Sequence, residues 1–400
     1  MSMLIVSSIT TLRFRVCLRY GIFPWSEAAH NDEPRLLGRA EELKICAMDS
    51  MPTDVVVVGA GPIGLELAVA LKRTGIEYVQ VEARQIGYTI SWFPPQTRFF
   101  SSNERIAIAG VPLQTADQSK ASREEYLAYL RSIVEQFELE IQTYSPVVGI
   151  QRNNEGFVVS LQTVRGRLQI RTKRIVFCTG GTDHPRRLNV PGEDLPHVSH
   201  YFQDPHKYFR KRLLVVGGKN SAIETAMRCH HAGANVSLSY RRDHLNAQHV
   251  KYWLLPEIKG LIAEGRIGGL FNTIPSEITP TEVKLRPASV AEGDNPEAVP
   301  NEIIVPADFV LCQIGYEQDT SLLKLAGIEL RGECRTPAYD ERTMETNVPG
   351  VYVAGTAVGG TQDKYRVFIE NCHVHVDRIV SALTGAAPPP TPAPLAAPES

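Results

Sequence analysis

The sequence predicts an α/β fold in which one strand, glycine turn, helix and strand unit occurs twice. The first unit is the apolar run, turn and helix of DVVVVGAGPIGLELAVALKRTG, followed by the strand YVQVEAR. The second, KRLLVVGGKNSAIETAMRCHHAGANVSLSYRR, comes about 160 residues later. Between them, EEYLAYLRSIVEQF has apolar residues at helical spacing, and RIVFCTGG is a buried strand that ends in glycines.

Composition narrows the class of protein and of ligand. Four hundred residues with 43% hydrophobic content predict two domains with a sizeable core. A net charge of -2 gives no bulk attraction to nucleic acid or to an anionic membrane, so a small ligand is expected. No stretch reaches the roughly 18 apolar residues that span a bilayer. Seven scattered cysteines without CxxC or metal-ligand spacing predict free thiols, a cytoplasmic location and no metal site.

The two ends of the chain differ from the rest. Residues 1–50 resemble an added, poorly ordered extension, and Met48 or Met51 is an alternative start. The end of the chain, 387–400, contains the proline-rich stretch PPPTPAPLAAPES, and we expect it to be a disordered tail because proline supports neither helix nor sheet ladders.

The first glycine turn has the spacing of a dinucleotide-binding motif. Gly59, Gly61 and Gly64 form G-x-G-x-x-G, whose glycines make the turn, admit a pyrophosphate and let the helix pack on the strand. Pro62 suits the first helical position, and the free amides of that turn favour phosphates. Glu82 ends the next strand, where a carboxylate accepts hydrogen bonds from a ribose hydroxyl. A Rossmann-type site is therefore predicted here.

The second turn departs from this motif. After Gly217 and Gly218, Lys219 occupies the place of the second glycine and Ala222 that of the third. Two orientations of the lysine remain open. Its ammonium reaches a phosphate as a point charge, or its side chain extends into solvent.

Basic residues follow the second strand of this unit. Arg241 and Arg242 stand where an acid would bind a ribose hydroxyl. Guanidinium groups bind a 2′-phosphate through paired hydrogen bonds, which favours NADPH over NADH. The alternative is a pair of solvated surface arginines.

Several segments carry a resemblance to a known family. The two-unit layout resembles flavoproteins of thioredoxin reductase architecture. Closer similarity, covering roughly residues 53–385, is to the bacillithiol disulfide reductases and their relatives. The segments that carry it are PPQTRFFSSNERIAIAGVPL, REEYLAYLR, KRLLVVGGKNSAIETA, YRRDHL, VKYWLLPEIKGLIAEGRI and FIENCHVH.

The resemblance implies an FAD-binding Rossmann-type domain interrupted by an inserted NAD(P)H-binding domain. The implied FAD-binding parts are 51–195 and 319–386, and the NADPH-binding domain is 196–318. The residues implied to contact FAD are Gly59, Gly61, Pro62, Gly64, Glu82, Gly180, Gly355, Thr356, Phe368 and Ile369. Those implied to contact NADPH are Gly217, Gly218, Lys219, Asn220, Ser221, Arg241 and Arg242.

One implied contact departs from the pattern of related enzymes. Thr356 stands where relatives often have an aspartate that binds the ribityl chain, so this chain lacks the carboxylate for that contact. The helix opened by FIEN is implied to direct its N-terminal dipole at the flavin.

The implied chemistry is transfer of reducing equivalents from NADPH through FAD to an acceptor. The expected acceptor is a small-molecule disulfide or a small redox protein such as ferredoxin, and a homodimer is expected. The chain has no CxxC pair, and Ile63 stands where some of these proteins have a cysteine. The chain therefore has neither of the two cysteine arrangements that would pass electrons to a disulfide acceptor in these proteins.

A histidine, two cysteines and an aromatic pair are further candidates for residues near the expected flavin. His375 either exchanges a proton with the flavin or a thiol, or braces the helix that carries it. Cys372 is interpreted as an inert buried thiol and Cys178 as a core residue. Phe99 and Phe100 either flank the flavin or pack in the core.

Two other functions stay open. HVSHYF followed by KRLLVVGGKNSA is faintly similar to the histidine-containing linker of flavin-containing monooxygenases. The missing acceptor thiols also fit a non-catalytic sensor that binds FAD and NADPH.

Overall fold

The computed structural model describes residues 52–247, 250–288, 302–362 and 366–387. The extension over 1–50 lies outside the described residues, and so does the predicted tail beyond residue 387. Every described residue belongs to one compact unit.

The described residues form eight α-helices and 19 strands. The helices are α1 (Pro62–Thr74), α2 (Tyr88–Ser91), α3 (Asn103–Ile106), α4 (Arg123–Gln136), α5 (Asn220–His231), α6 (Leu254–Ala263), α7 (Ser321–Leu325) and α8 (His373–Thr384). Short 3₁₀ turns occupy Pro205–Tyr208, Gly355–Gly359 and Ile369–Asn371.

The strands fall into two large sheets and three small ones. They are β1 (Thr53–Val58), β2 (Tyr78–Val81), β3 (Ile141–Gln142), β4 (Val147–Asn153), β5 (Gly156–Thr163), β6 (Gly166–Phe177), β7 (His184–Pro185), β8 (Val198–Ser199), β9 (Arg212–Val216), β10 (Asn235–Tyr240), β11 (Gly268–Phe271), β12 (Thr273–Ile278), β13 (Glu282–Pro287), β14 (Ile303–Pro306), β15 (Phe309–Cys312), β16 (Tyr316–Glu317), β17 (Leu330–Arg331), β18 (Thr336–Pro337) and β19 (Val351–Val353).

The first large sheet has the order β3-β2-β1-β6-β5-β4, and β19 also pairs with β6. Strands β1, β2, β3, β6 and β19 run parallel, whereas β4, β5 and the first part of β6 form antiparallel pairs. The sheet reverses its winding between β1 and β6. Ligands of open α/β sheets bind at the carboxyl ends of the strands beside such a reversal.

The second large sheet repeats this plan with the order β11-β10-β9-β15-β8, and every pair in it is parallel. Its winding reverses between β9 and β15. An antiparallel sheet of β12, β13 and β14 accompanies it.

The chain passes between the two large sheets twice. Strand β7 follows the first sheet's β6, strand β16 follows the second sheet's β15, and the two pair antiparallel through His184 with Glu317 and Pro185 with Tyr316. The two crossings therefore lie side by side.

Apolar residues cover the first sheet on both faces. Helix α8 and the strands share one buried cluster, and α1 and α4 form another around the buried Tyr126. The second sheet has its own pair of clusters. This layering confirms the predicted mixed α/β class. No helix in the described ranges combines the length and apolar character needed to cross a bilayer.

Local sequence explains the ends of the main helices. Pro62 begins α1, and Gly75, with a φ of 72°, ends it. Helix α4 begins with a capping box, because the Ser122 side chain accepts the amide of Glu125 and the Glu125 carboxylate accepts the amide of Ser122.

Candidate functional site

The first glycine turn joins β1 to α1 at the carboxyl edge of the first sheet. Gly59 has a φ of 111°, and a Cβ there would lie 2.4 Å from the carbonyl oxygen of Cys178. A Cβ at Gly64 would lie 2.3 Å from the carbonyl oxygen of Gly59. These two positions accept only glycine because β1, α1 and β6 approach each other there.

Gly61 differs from its two neighbours in the motif. It precedes α1 with an ordinary φ of -76°, and a Cβ added there would meet nothing within 4 Å. The space in front of this residue adjoins the first amides of α1, which lack intrahelical acceptors. An open space at a helix N-terminus fits a pyrophosphate group. The residues of this turn therefore fit the dinucleotide that the sequence predicts.

Glu82 lies next to this turn, directly after β2. Its carboxylate accepts the amide of Ala60 at 2.8 Å and that of Arg84 at 2.9 Å. Each carboxylate oxygen has a second lone pair, so Glu82 retains the capacity to accept a hydroxyl. Buried Gln80, which sequence reasoning missed, also supports the turn. Its Nε2 donates to the carbonyl of Gly59 at 2.9 Å.

The ends of β6 and β19 meet beside the same turn. A Cβ at Gly180 would lie 3.9 Å from Oγ1 of Thr356, and one at Gly355 would lie 3.4 Å from Cβ of Ile63. Buried Gln318 joins the two ends, because its Nε2 donates to the carbonyls of Gly180 at 3.1 Å and of Ala357 at 2.9 Å. No local motif marked Gln318, which lies 138 residues from Gly180.

The 3₁₀ turn after Phe368 leads into α8. The Asn371 side chain accepts the amide of Phe368 at 2.9 Å, so this turn is held by its own side chains. Ile369 begins the turn, and the ring of Phe368 contacts that of Phe100 at a centroid distance of 5.1 Å.

His375 is buried and supports the turn that begins at Gly355. Its Nδ1 accepts the amide of Gly355 at 3.2 Å, which requires the proton of the neutral ring to be on Nε2. Burial, with Arg378 and His373 adding to it, lowers the pKa of His375 to about 4. This contact favours the bracing interpretation of His375 over proton exchange near neutral pH.

His373 belongs to a charged network that sequence reasoning missed. Its Nδ1 lies 2.7 Å from Oε2 of Glu66, and its Nε2 lies 2.9 Å from the carbonyl oxygen of Arg105. Both ring nitrogens face acceptors, so only the doubly protonated ring satisfies both. Burial lowers the pKa of His373, but the bonds to Glu66 and Arg105 outweigh it and the pKa is raised.

The second glycine turn joins β9 to α5 at the carboxyl edge of the second sheet. Gly217 has a φ of 141°, and Lys219 precedes the first helical residue as Gly61 does in the first turn. A Cβ at Gly218 would lie 2.3 Å from the ring of Tyr240, which explains the second of the paired glycines. Lys219 is exposed, and buried Ala222 lies where Gly64 lies in the first turn.

The remaining predicted NADPH contacts lie around this turn. Asn220 begins α5, and its Oδ1 accepts the amide of Lys251 at 2.8 Å, which links the helix start to the following loop. Ser221 is exposed beside it. Arg241 and Arg242 are exposed directly after β10. The two glycine turns therefore lie at the carboxyl edges of two separate sheets.

Cysteines in the described ranges are free. Cys178, Cys229, Cys312 and Cys372 are buried, and Cys334 is partly exposed. Burial raises the pKa of the first three thiols to about 12 and raises that of Cys372 still further above its ordinary value. A protonated buried thiol is a poor nucleophile, so these four are unsuited to a thiolate relay.

Phe99 and Phe100, interpreted either as core residues or as residues that flank the flavin, differ in their surroundings. The ring of Phe99 packs against Tyr126 at a centroid distance of 4.6 Å, within the core around α4. Phe100 instead contacts Phe368 beside the turn expected at the flavin.

Comparison with known proteins identifies the class. The family model of the pyridine nucleotide-disulphide oxidoreductases matches residues 56–355. Bacilliredoxin reductase Bdr of Bacillus subtilis is 33% identical over 82% of this chain and 96% of that protein. The solved structure of bacillithiol disulfide reductase Bdr from Bacillus cereus has 32% identity and a TM-score of 0.76, covering 84% of this chain and 99% of that one. A ferredoxin–NADP reductase of Ignicoccus hospitalis is 29% identical over 76% of this chain and 89% of that protein.

The chain belongs to the pyridine nucleotide-disulphide oxidoreductase family. It is an oxidoreductase, and FAD and NADPH are its cofactors. The predicted resemblance to thioredoxin-reductase-like flavoproteins and to the bacillithiol disulfide reductases is confirmed.

Proposed function

We propose that this protein reduces a low-molecular-weight disulfide with electrons from NADPH. The observation that carries the proposal is the pair of glycine turns, each at the carboxyl ends of the parallel strands of one large sheet and each suited to one cofactor. The similar protein from Bacillus cereus is a bacillithiol disulfide reductase by name, which supports the kind of acceptor.

FAD fits the first sheet. The open space at Gly61 receives its pyrophosphate, the carboxylate of Glu82 accepts a ribose hydroxyl, and the ends of β6 and β19 at Gly180 and Gly355 border the flavin. Pro62, Gly59 and Gly64 shape the turn. Thr356 lies in the turn after β19, and we assign Phe368 and Ile369, in the turn before α8, to the same cofactor. Bound FAD supplies the two-electron chemistry, and the protein supplies position and electrostatics.

NADPH fits the second sheet. The amides that begin α5 at Asn220 and Ser221 face its pyrophosphate, and the ammonium of Lys219 reaches the same phosphates from its place before the helix. Arg241 and Arg242 bind the 2′-phosphate. Gly217 and Gly218 let the turn approach the sheet. We therefore propose two Rossmann-type domains, over the FAD and NADPH ranges that the sequence predicts.

The chain's own residues have limited roles in the reaction. The S–S bond of the acceptor breaks and two thiols form, while NADPH becomes NADP⁺ and one further proton comes from solvent. His375 acts as a positioning residue, because its Nδ1 holds the amide of Gly355. The buried thiols take no part, since burial keeps them protonated.

A small redox protein such as a ferredoxin is the second candidate acceptor. The ferredoxin–NADP reductase of Ignicoccus hospitalis covers 76% of this chain, and one-electron transfer to such a partner needs no protein thiol. We further propose that the protein works in the cytoplasm as a homodimer, as the sequence predicts.

An anaerobic acceptor screen tests the proposal. The purified protein is reduced with NADPH, and its reoxidation is followed after addition of glutathione disulfide, bacillithiol disulfide, ferredoxin or oxygen. Fast reoxidation by a disulfide supports the proposal. Reoxidation by ferredoxin alone identifies the second candidate, and a long-lived oxygen adduct identifies a monooxygenase. Absence of reduction by NADPH identifies a sensor.

A further inference from the structure

A cavity of about 520 Å³ lies between the loop over 96–99, Lys120, the side of α5 and the loop that leads into α6. Its volume falls within the range of small-molecule sites. None of the predicted cofactor contacts lines it.

The lining is rich in positive charge. Arg98, Lys120, Arg228 and Lys251 line the cavity, against the two carboxylates of Glu224 and Glu257. Glu257 lies 3.1 Å from Nε2 of His231, and Arg98 lies 3.4 Å from a carboxylate oxygen of Asp117. Without these two engaged groups, Lys120, Arg228 and Lys251 still outnumber Glu224. The whole chain carries a net charge of -2, so this excess of cations is local.

Two of the ammonium groups flank one aromatic ring. Nζ of Lys120 lies 5.9 Å and Nζ of Lys251 lies 5.3 Å from the ring centroid of Trp253. Burial lowers the pKa of Lys251, with Glu224 opposing the shift and Lys120 adding to it. An anion bound between the lysines would favour the charged form of both.

The cavity also adjoins the region expected to hold the two cofactors. Nζ of Lys251 lies 6.0 Å from the ring centroid of Phe100, and Phe100 in turn contacts Phe368. The amide of Lys251 donates to Asn220 at the start of α5. One loop therefore contacts both the expected edge of the flavin and the second glycine turn.

We propose that this cavity binds the acceptor disulfide and selects one that carries carboxylate groups, with Lys120 and Lys251 as the specificity-determining residues. The inference rests on the proposed function and specifies its substrate as an anionic disulfide. Carboxylates pair with the ammonium groups, and the ring of Trp253 covers the apolar part of the ligand.

A matched pair of substrates tests the inference. Glutathione disulfide carries four carboxylates, whereas bis(2-hydroxyethyl) disulfide is neutral. In Lys251→Met we expect the KM for glutathione disulfide to rise about tenfold, the effect of one lost charge-assisted hydrogen bond. The KM values for the neutral disulfide and for NADPH should not change. Lys251→Arg should restore most of the difference, and Lys259→Met, an exposed lysine on α6 outside the cavity, serves as control.

Two results overturn the inference. One is an equal rise in KM for both disulfides, and the other is a comparable rise for NADPH, which would assign the cavity to the nucleotide. In both cases disulfide reduction itself, and with it the proposed function, stands.

A binding measurement separates this inference from the proposed function. Quenching of protein fluorescence by glutathione disulfide, without NADPH, should vanish in Trp253→Phe and weaken in Lys251→Met. If neither disulfide reoxidises the reduced enzyme, the proposed function fails. Lys251-dependent quenching would still support the anion site, and absence of quenching would overturn it.

Discussion

At the scale of single residues, Gly61 gives the sharpest test of the flavin site. Gly61→Val places a side chain in the open space that we assign to the pyrophosphate. The fold should tolerate this change, because Gly61 has an ordinary φ of -76° and a Cβ there meets no atom within 4 Å. We expect a folded, colourless protein. The visible absorbance and the circular dichroism of the purified variant check this. Gly260→Val, which also meets nothing within 4 Å, should stay yellow. A yellow Gly61→Val protein would contradict the assignment.

His373 predicts a pH dependence of stability. Its pKa is raised, so folding favours the protonated ring, and its contribution is fully present below the unfolded pKa of about 6.5. It is lost as the pH rises through the folded-state pKa. We expect His373→Ala to lower the free energy of unfolding by about 1.5–3 kcal/mol at pH 6, the value of a charged hydrogen bond, and by less at pH 9.

Urea unfolding at the two pH values measures this difference. The exposed His206 supplies the control, since His206→Ala should leave stability unchanged at both. A pH-independent loss in the His373 variant would show that the ring acts by packing and not by charge.

The position of a residue in the fold could be predicted from sequence where it depends on neighbouring residues. The spacing predicted the turn, and the structure puts Gly59 and Gly61 between β1 and α1 and Gly64 in the first turn of α1. The pair of His373 and Glu66 did not follow, because 307 positions separate them. Chain folding alone brings such partners together.

At the scale of elements, the capping box of α4 contributes measurably to the free energy of unfolding. Ser122→Ala removes the acceptor for the amide of Glu125, and an N-cap serine is worth about 1 kcal/mol. We expect that loss in urea unfolding. Ser132→Ala, which removes a hydroxyl from the exposed middle of the same helix, should cost less. Equal losses would contradict a capping role.

The two arginines that follow β10 predict a preference for NADPH over NADH. Replacing Arg241 and Arg242 by Ala should raise the KM for NADPH at least about tenfold, because each charged hydrogen bond to a phosphate is worth about 1.5–3 kcal/mol. The KM for NADH should change little. Initial-rate kinetics with both nucleotides measure the split. Arg266→Ala, an exposed arginine on another loop, is the control, and equal effects on both nucleotides would refute the 2′-phosphate contact.

Elements with a strong local period were predictable, and those fixed by distant pairing were not. The helix in EEYLAYLRSIVEQF and the two strand–helix–strand units are present. The antiparallel strands β4 and β5, and the short pair of β7 and β16, gave no comparable signal. Their pairing depends on β6 and on the return of the chain from the second sheet.

At the scale of the whole molecule, the two sheets repeat one plan and the chain crosses between them through adjacent strands. The mixed α/β class and the family were predictable because two glycine turns recur with the same strand and helix order. The acceptor was not, because the residues that we propose to bind it, Lys120 and Lys251, belong to separate segments that meet only in the folded chain.

The most direct test of the whole account is an anaerobic titration of the purified protein with NADPH, followed by its visible absorbance. We predict a yellow protein whose flavin band disappears with one NADPH per polypeptide and returns on addition of a disulfide. A protein without flavin absorbance after reconstitution with FAD, or a flavin band that NADPH leaves unchanged, would contradict it.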